Sequence, residues 1–104
     1  MTIQFNTDKN IEGSERLSAY VNSTITKGLD RFSSDITRVE VHLSDENGGK
    51  SGPNDKRCML EARMENRQPI AVTSHADTIE KALKEAIDKL KVSMDTIIGK
   101  LKNH

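Results

Sequence analysis

Two periods of hydrophobic residues alternate along the chain, and they predict its elements. Residues 2–6 alternate between apolar and polar, which predicts a short strand with Ile3 and Phe5 on one side. From Ser14, a favourable N-cap residue, the apolar positions recur every three or four residues as far as Phe32. This spacing predicts one amphipathic helix. Its apolar stripe is Leu17, Tyr20, Val21, Ile25, Leu29 and Phe32.

Period-two alternation returns three times in the middle of the chain. It predicts three further strands over residues 36–44, 56–66 and 70–75, with a turn at residues 66–69. In the first two of these strands, one side is apolar and the other is mostly charged. A sheet with one apolar face needs helices on only one side. The predicted inward residues are Val39, Val41, Leu43, Cys58, Leu60, Ala62 and Met64.

The last segment has the helical period again, from Ile79 to Leu101. Asp77 and Glu80 have the spacing of a capping box, which predicts Asp77 as the N-cap. The predicted helix is roughly 38 Å long at 1.5 Å per residue. Four strands about 4.8 Å apart form a narrower sheet, so we expect the last two turns to project beyond the core.

The predicted order is β-α-β-β-β-α, an α+β two-layer sandwich with a four-stranded mixed sheet and two helices on one face. The first two strands are joined through a helix and should be parallel, whereas the remaining neighbours should be antiparallel. A chain of 104 residues is large enough for one modest core. We therefore expect residues 1–104 to form a single domain.

Composition narrows the function classes. Sixteen basic and sixteen acidic side chains leave no net charge, which argues against a strong, indiscriminate nucleic-acid binder. No apolar run approaches the roughly 18 residues of a membrane span, and the N-terminus lacks a leader pattern. Cys58 is the only cysteine and cannot form an intrachain disulfide. We expect a soluble cytoplasmic protein.

The stretch ENGGKSGPNDKR contains Gly49, Lys50 and Ser51, which raises the question of a nucleotide-binding phosphate loop. Ser44 stands where that motif needs its first glycine, and Pro53 follows where its helix should begin. We therefore interpret residues 48–55 as a flexible connection between two strands.

Enzyme chemistry finds little support in the sequence. The three histidines are isolated from one another, and no group of residues has metal-ligand spacing. Cys58 has the inward phase of its strand beside Leu60, which indicates a buried structural thiol rather than a nucleophile. We expect a non-enzymatic protein with no catalytic residues, no metal site and no cofactor.

Basic side chains on the two predicted helices are the candidates for a binding surface. If the helices lie side by side, these side chains form a discontinuous strip able to contact RNA phosphates. The candidate RNA-binding residues are Lys27, Arg31, Lys81, Lys84, Lys89 and Lys91. The alternative is an ordinary solvated helix face, because Glu80–Lys84 and Glu85–Lys89 have i,i+4 ion-pair spacing.

The end of the second helix carries an apolar stripe with two interpretations. The stripe consists of Met94, Ile97, Ile98 and Leu101. It completes the core under the first strand, or it projects from the core and buries itself against a partner or a second copy of this chain. In the second case the protein is an interaction or homodimer module with these four residues as its contact.

Four stretches together resemble one family: NIEGSERLSAYVNSTITKGLDRF, ITRVEVHLSDE, KRCMLEARMENRQPIAVTSHADTIEKALKEAIDKLK and the ending GKLKNH. They are similar to the ribosome hibernation-promoting factor and ribosome-associated inhibitor family, also described as sigma-factor modulation proteins. The resemblance covers nearly the whole chain, which looks like a short form without the second, dimerising domain of long members.

The resemblance implies a fold related in shape to double-stranded-RNA-binding domains. It also implies a protein that occupies the RNA channel of the small ribosomal subunit, contacts ribosomal RNA through its helices, and inhibits or protects idle ribosomes under stress or in stationary phase. Family members usually continue with further basic residues after the I-D-K-L segment. Here the chain reads KVSMDTIIGKLKNH instead.

Overall fold

The structure, a computed structural model, describes residues 1–46 and 55–102, with side chains as far as residue 99. The predicted β-α-β-β-β-α order and the α+β class are confirmed. The elements are β1 (Thr2–Thr7), α1 (Glu15–Gly28), a 3₁₀ turn (Asp30–Phe32), β2 (Arg38–Asp45), β3 (Lys56–Arg63), β4 (Ile70–Ala76) and α2 (Ile79–Lys102).

The four strands lie in the order in which they occur along the chain. β1 pairs with β2 in parallel, while β2–β3 and β3–β4 are antiparallel, as predicted. In the β2–β3 register, Val41 lies opposite Leu60 and Glu40 lies opposite Glu61. Apolar residues therefore face apolar residues across the sheet, and charged residues share the other face.

The core lies between the apolar face of the sheet and the two helices. β2 and β3 bury their inward residues completely or nearly so, whereas their outward neighbours remain partly or fully exposed. α2 packs on β3 and β4 and supplies a long row of buried side chains. That row consists of Ala82, Leu83, Ala86, Ile87, Leu90 and Met94.

α1 begins as predicted and ends earlier than predicted. The Ser14 hydroxyl oxygen accepts a hydrogen bond from the Leu17 N–H at 3.1 Å, which confirms Ser14 as the N-cap. The helix ends at Gly28, a poor helix former, and the chain tightens into the 3₁₀ turn. This change of winding lets both Leu29 and Phe32 point into the core, where they are buried.

The N-cap of α2 is Thr78, so the predicted capping box at Asp77 is wrong. The Thr78 hydroxyl oxygen accepts a hydrogen bond from the Lys81 N–H at 3.1 Å, and its carbonyl oxygen accepts one from the Ala82 N–H. Lys81 therefore occupies the N3 position, where a capping box needs a Glu or Gln. Asp77 instead forms an ion pair with the Lys81 ammonium at 3.3 Å.

β3 ends at Arg63, three residues before the predicted end at Asn66. Asn66 has a positive φ of 62°, a left-handed conformation that Asn tolerates better than most residues. Arg67 donates its N–H to the Met64 carbonyl at 3.4 Å and closes a turn. The backbone reverses there and enters β4, in agreement with the predicted turn over residues 66–69.

Two buried carboxylates flank a lysine where β2 ends and β3 begins. The Lys56 ammonium lies 3.0 Å from a carboxylate oxygen of Asp55 and 3.4 Å from one of Asp45. These carboxylates, Asp55 first, raise the pKa of Lys56 and keep it charged. The Gly48–Asp55 loop and its phosphate-loop letters lie outside the described residues, except for Asp55. The element that follows is the strand β3, where a phosphate loop needs a helix.

The two helices approach each other closely at Gly28. A Cβ atom on Gly28 would lie 2.8 Å from the Cγ2 atom of Ile87 on α2, which is less than a van der Waals contact.

Within residues 1–46 and 55–102, neither helix is both long enough and apolar enough to cross a membrane.

We predict that Gly28→Ala destabilises the protein by about 1–3 kcal/mol, because the new methyl group overpacks the helix contact. Ile87 is β-branched and stiff in a helix, so the helices must separate to accommodate it. Urea unfolding measures the change. Gly99→Ala is the matched control, because a Cβ atom on Gly99 would have no heavy atom of another element within 4 Å. It should stabilise the protein by roughly 0.5–1 kcal/mol. Equal effects of the two substitutions would contradict the close contact.

Cys58 is fully buried, as predicted, and burial raises the pKa of its thiol from 9.0 to about 12. The native thiol therefore keeps its proton in a pH range where the unfolded thiol loses it. The free energy that this thiol contributes to stability is fully present below about pH 9. It is lost progressively as the pH rises toward 12. The expected slope is about −1.4 kcal/mol per pH unit within that range.

We predict that the free energy of unfolding falls more steeply between about pH 8.5 and about pH 10 in the natural protein than in Cys58→Ala. Denaturant unfolding at several pH values provides the two slopes. The cavity left by the substitution shifts stability at every pH and leaves the slope unaffected. Parallel curves would show that Cys58 ionises with an ordinary pKa.

Candidate nucleic-acid interface

α1 and α2 lie side by side and run in the same direction. Near the start of α1, Tyr20 lines a surface depression together with Glu80 of α2. Gly28 then meets Ile87, and beyond the end of α1 the Arg31 guanidinium donates to the Asp95 carboxylate at 2.7 Å. Residue numbers rise together along both helices, so the helices are parallel neighbours and their solvent-facing sides lie next to each other.

We call the solvent-facing residues along this boundary the interhelical strip. On α2, Lys84, Asp88, Lys91 and Asp95 follow one another at steps of four, three and four residues, so they share the side that reaches Arg31. On α1, steps of four and seven residues place Arg16 and Lys27 on the side of Tyr20. The strip consists of Arg16, Tyr20, Lys27, Arg31, Glu80, Lys84, Asp88, Lys91 and Asp95.

Three of the predicted RNA-binding lysines in the strip keep their ammonium groups available. Lys27 and Lys84 are exposed, and Lys91 is half-buried. In the described part of the chain, none of the three forms a hydrogen bond or ion pair through its side chain. An ammonium without an internal partner can pair with an external phosphate and lose only water.

Arg31 is the one predicted strip residue that the described part of the protein already neutralises. Its guanidinium lies over the ring of Phe32, 4.6 Å from the centroid, and donates to Asp95. Both ion-pair partners are more than half exposed, at 61% and 52%. Such exposed pairs contribute little to stability. The main consequence of Asp95 is therefore electrostatic, because it lowers the positive charge at this end of the strip.

Lys81 and Lys89 are not counted in the strip, because each is engaged with a group outside it. The Lys81 ammonium pairs with the Asp77 carboxylate at 3.3 Å. The Lys89 ammonium donates to the Thr73 carbonyl oxygen of β4 at 2.7 Å, on the opposite flank of α2. This bond occupies an edge carbonyl of the sheet, so Lys89 covers the open edge of β4. The structure thus brings together four of the six predicted residues.

The two i,i+4 ion pairs expected on α2 are absent among the described residues, and that prediction is wrong. Glu85 accepts a hydrogen bond from the Ser74 hydroxyl at 2.8 Å instead, and Lys89 is engaged with Thr73. Glu80 lies at the depression beside Tyr20. β4 therefore competes for Glu85 and Lys89, whereas Glu80 and Lys84 both stay without a side-chain partner in the described part of the chain.

The predicted apolar stripe at the end of α2 divides between core and surface. Met94 is fully buried and belongs to the core, and Ile98 packs against the core. This burial lies over β3 and β4, whereas the prediction placed it under the first strand. Ile97 is half-buried and lines a surface depression with Met64 and Ile70. The side chain of Leu101 lies outside the described residues.

Sequence reasoning missed five members of the strip: Arg16, Tyr20, Glu80, Asp88 and Asp95. The helical period places Tyr20 in the apolar stripe of α1, yet it is 42% exposed because it lies at the margin of that stripe. Asp95 is not among the predicted residues, although its spacing from Lys84 and Lys91 places it on the same side of α2. Only the position of α1 reveals that this side faces Arg31.

No group of three metal-ligating side chains is present in residues 1–46 and 55–99. His42 and His75 lie on the open face of the sheet, where His75 and Glu46 are 3.0 Å apart.

The sequence profile of the family described as "Sigma 54 modulation protein / S30EA ribosomal protein" matches residues 5–102. The chain belongs to this family. The resemblance predicted from the four sequence stretches is thereby confirmed. No curated protein matches the chain in sequence.

Solved structures show the same fold at low sequence identity. One is the crystal structure of the Thermus thermophilus Protein Y N-terminal domain, with a TM-score of 0.74 and 21% identity over 93% of this chain and 99% of that one. Another is a ribosomal subunit interface protein from Coxiella burnetii, with a TM-score of 0.75 and 15% identity over 95% of this chain and 99% of that one. At these identities the likeness concerns the fold.

Proposed function

We propose that this protein is a non-enzymatic, cytoplasmic factor that binds the ribosome through the interhelical strip. Its target is ribosomal RNA in the channel of the small subunit, and its role is to inhibit or protect idle ribosomes under stress or in stationary phase. The observation that supports this most directly is the row of available ammonium groups on the strip of a chain that belongs to the S30EA family.

The charge distribution favours the helices over the open sheet face as the RNA-binding side. On the sheet, Arg63 forms ion pairs with Glu40 at 3.1 Å and with Glu61 at 3.0 Å, and Arg38 and Arg57 also have carboxylate partners. A cation that is already paired must lose its partner before it contacts phosphate. On the strip, Lys27, Lys84 and Lys91 need no such exchange.

The strip contains five cations, interleaved with three carboxylates and one aromatic ring. The carboxylates offset part of the positive charge, so the positive potential of the strip is moderate. After Lys91, where the resemblance implies further basic residues, this chain has Val92, which is 67% exposed, and Asp95. Each phosphate contact contributes about one unit to the salt dependence of binding. We therefore infer a binding constant that depends on few phosphate contacts and falls with rising salt.

We predict that the purified protein cosediments with ribosomes at low salt and that the double variant Lys84→Glu/Lys91→Glu loses this binding. Two lost phosphate contacts should lower the slope of log affinity against log salt concentration by about two. Asp95→Asn should strengthen ribosome binding, because it frees the Arg31 guanidinium for RNA. Sedimentation through a sucrose cushion at several salt concentrations measures all three proteins.

The matched control is Lys9→Glu/Arg38→Glu, which makes the same change of net charge outside the strip. Lys9 lies in the loop after β1, and Arg38 lies on the open face of the sheet. This control should retain the affinity and salt dependence of the natural protein. Normal cosedimentation of the strip variant, or equal loss in the control, would show that the strip is not the RNA-binding surface.

A second candidate function is a protein-interaction or homodimer module that uses the end of α2. Ile97 supports it, because this half-buried side chain lines a depression of about 400 Å³ that also includes Met64, Pro69 and Ile70. Met94 is buried in the core and cannot take part.

We predict for this candidate that the solution molar mass rises with concentration in the natural protein and stays monomeric in Ile97→Lys. Light scattering at two concentrations makes the comparison. Val92→Lys is the control, because Val92 is exposed on the same helix and does not line the depression. A monomeric natural protein at both concentrations would rule out the homodimer.

A further inference from the structure

Tyr20 is the most exposed of the three aromatic side chains of the chain. Of the three aromatic residues, Phe32 is buried, Phe5 is half-buried, and Tyr20 is 42% exposed. A tyrosine combines an apolar ring with a polar hydroxyl, and such residues are enriched at binding interfaces. Tyr20 lies at the end of the interhelical strip where both helices begin.

The ring lines an open depression of about 240 Å³ between the two helices. The other lining residues are Ser14, Arg16, Leu17 and Glu80. Leu17 is half-buried and supplies an apolar surface next to the ring. Ser14 is already engaged as the N-cap of α1. The depression therefore combines one aromatic ring, one aliphatic side chain, one cation and one carboxylate.

The polar groups around the ring are available to a ligand. Within residues 1–46 and 55–99, the side chains of Arg16, Tyr20 and Glu80 form neither a hydrogen bond nor an ion pair. Lys84 lies one helical turn after Glu80 on the same side of α2 and is equally available. One cation, Arg16, and one carboxylate, Glu80, therefore line the depression with the ring, and Lys84 follows one turn later on α2.

This combination fits an unpaired nucleobase better than a phosphate or a peptide. Aromatic rings stack on bases, which is how single-stranded RNA is usually held. A carboxylate repels phosphate, but it accepts hydrogen bonds from the amino groups on base edges. A basic peptide side chain would suit Tyr20 and Glu80, yet it would meet like charge from Arg16 and Lys84.

We propose that Tyr20 stacks on an unpaired base of the bound RNA, while Glu80 accepts a hydrogen bond from the edge of that base and Arg16 and Lys84 contact the flanking phosphates. This inference rests on the proposed function and adds a base-contacting site to an interface otherwise described by phosphate contacts. Recognition then favours RNA with an exposed base at this position over a continuous duplex.

The first test compares Tyr20→Leu with Tyr20→Phe in ribosome cosedimentation. Loss of one stacked base should lower the affinity of Tyr20→Leu by about 5- to 100-fold, whereas Tyr20→Phe keeps the ring and the affinity. The salt slope of Tyr20→Leu should equal that of the natural protein, because stacking releases no counterions. Circular dichroism confirms that both variants fold.

The second test asks whether Glu80→Ala weakens or strengthens binding to the ribosome. If its carboxylate contacts a base edge, Glu80→Ala weakens binding. If the carboxylate only repels the RNA backbone, the same substitution strengthens binding and the base contact is overturned.

A direct test follows from the single tyrosine and the absence of tryptophan. In protein labelled at tyrosine, every ring resonance belongs to Tyr20. An RNA hairpin with an unpaired loop should move these resonances upfield through the ring current of the stacked base. A blunt RNA duplex of the same length should leave them in place.

The outcomes separate this inference from the proposed function. Normal ribosome binding by Tyr20→Leu, or equal loss in Tyr20→Phe, overturns the stacking contact while salt-sensitive cosedimentation of the natural protein still supports ribosome binding. A natural protein that does not cosediment at any salt concentration overturns both. Upfield ring shifts together with selective loss in Tyr20→Leu support the inference.

Discussion

The contact between Gly28 and Ile87 determines how the surface of this protein is arranged. With no side chain on Gly28, α1 approaches α2 closely enough for a branched aliphatic residue to occupy the space. Both helices then cover the apolar face of the sheet and leave a shared solvent-facing boundary. A larger residue at position 28 would overpack this contact and push the helices apart.

Competition for partners then decides which charged groups remain available. Lys89 is bound by an edge carbonyl of β4, Glu85 by Ser74, and Arg31 by Asp95. On the open face of the sheet, a glutamate lies directly opposite another glutamate, and Arg63 bridges the two. Among the described residues, the available cations of the helices are concentrated along their boundary. A chain with no net charge can therefore still present a locally positive surface.

That surface has a distinct composition at each end. Its beginning has the exposed Tyr20 between Arg16 and Glu80, which suits a planar, partly polar ligand. Its far end has Arg31 neutralised by Asp95, together with the exposed Val92. If the proposed function is correct, RNA contact is strongest toward the start of the two helices and weaker toward the end of α2.

The sequence by itself determined the order of the elements, the strand directions, the buried face of the sheet and the family, whereas tertiary structure decided which of the candidate residues form a site. The first group depends on the spacing of apolar residues, which is visible in the chain because the periods of helices and strands differ. The N-cap of α1 and the buried Cys58 followed for the same reason. The N-cap of α2 and the end of α1 were harder to predict from the sequence, because adjacent residues compete for the cap and Gly28 ends the helix early.

Sequence spacing groups residues on one helix, but it does not say which flank of that helix faces its neighbour. For this reason Lys84 and Lys91 could not be separated from Lys89. The partner of each charged group also comes from another element, as for Arg31 with Asp95 and Lys89 with Thr73. Such pairs depend on distances between elements, which only the packing of α1 and α2 on the sheet establishes.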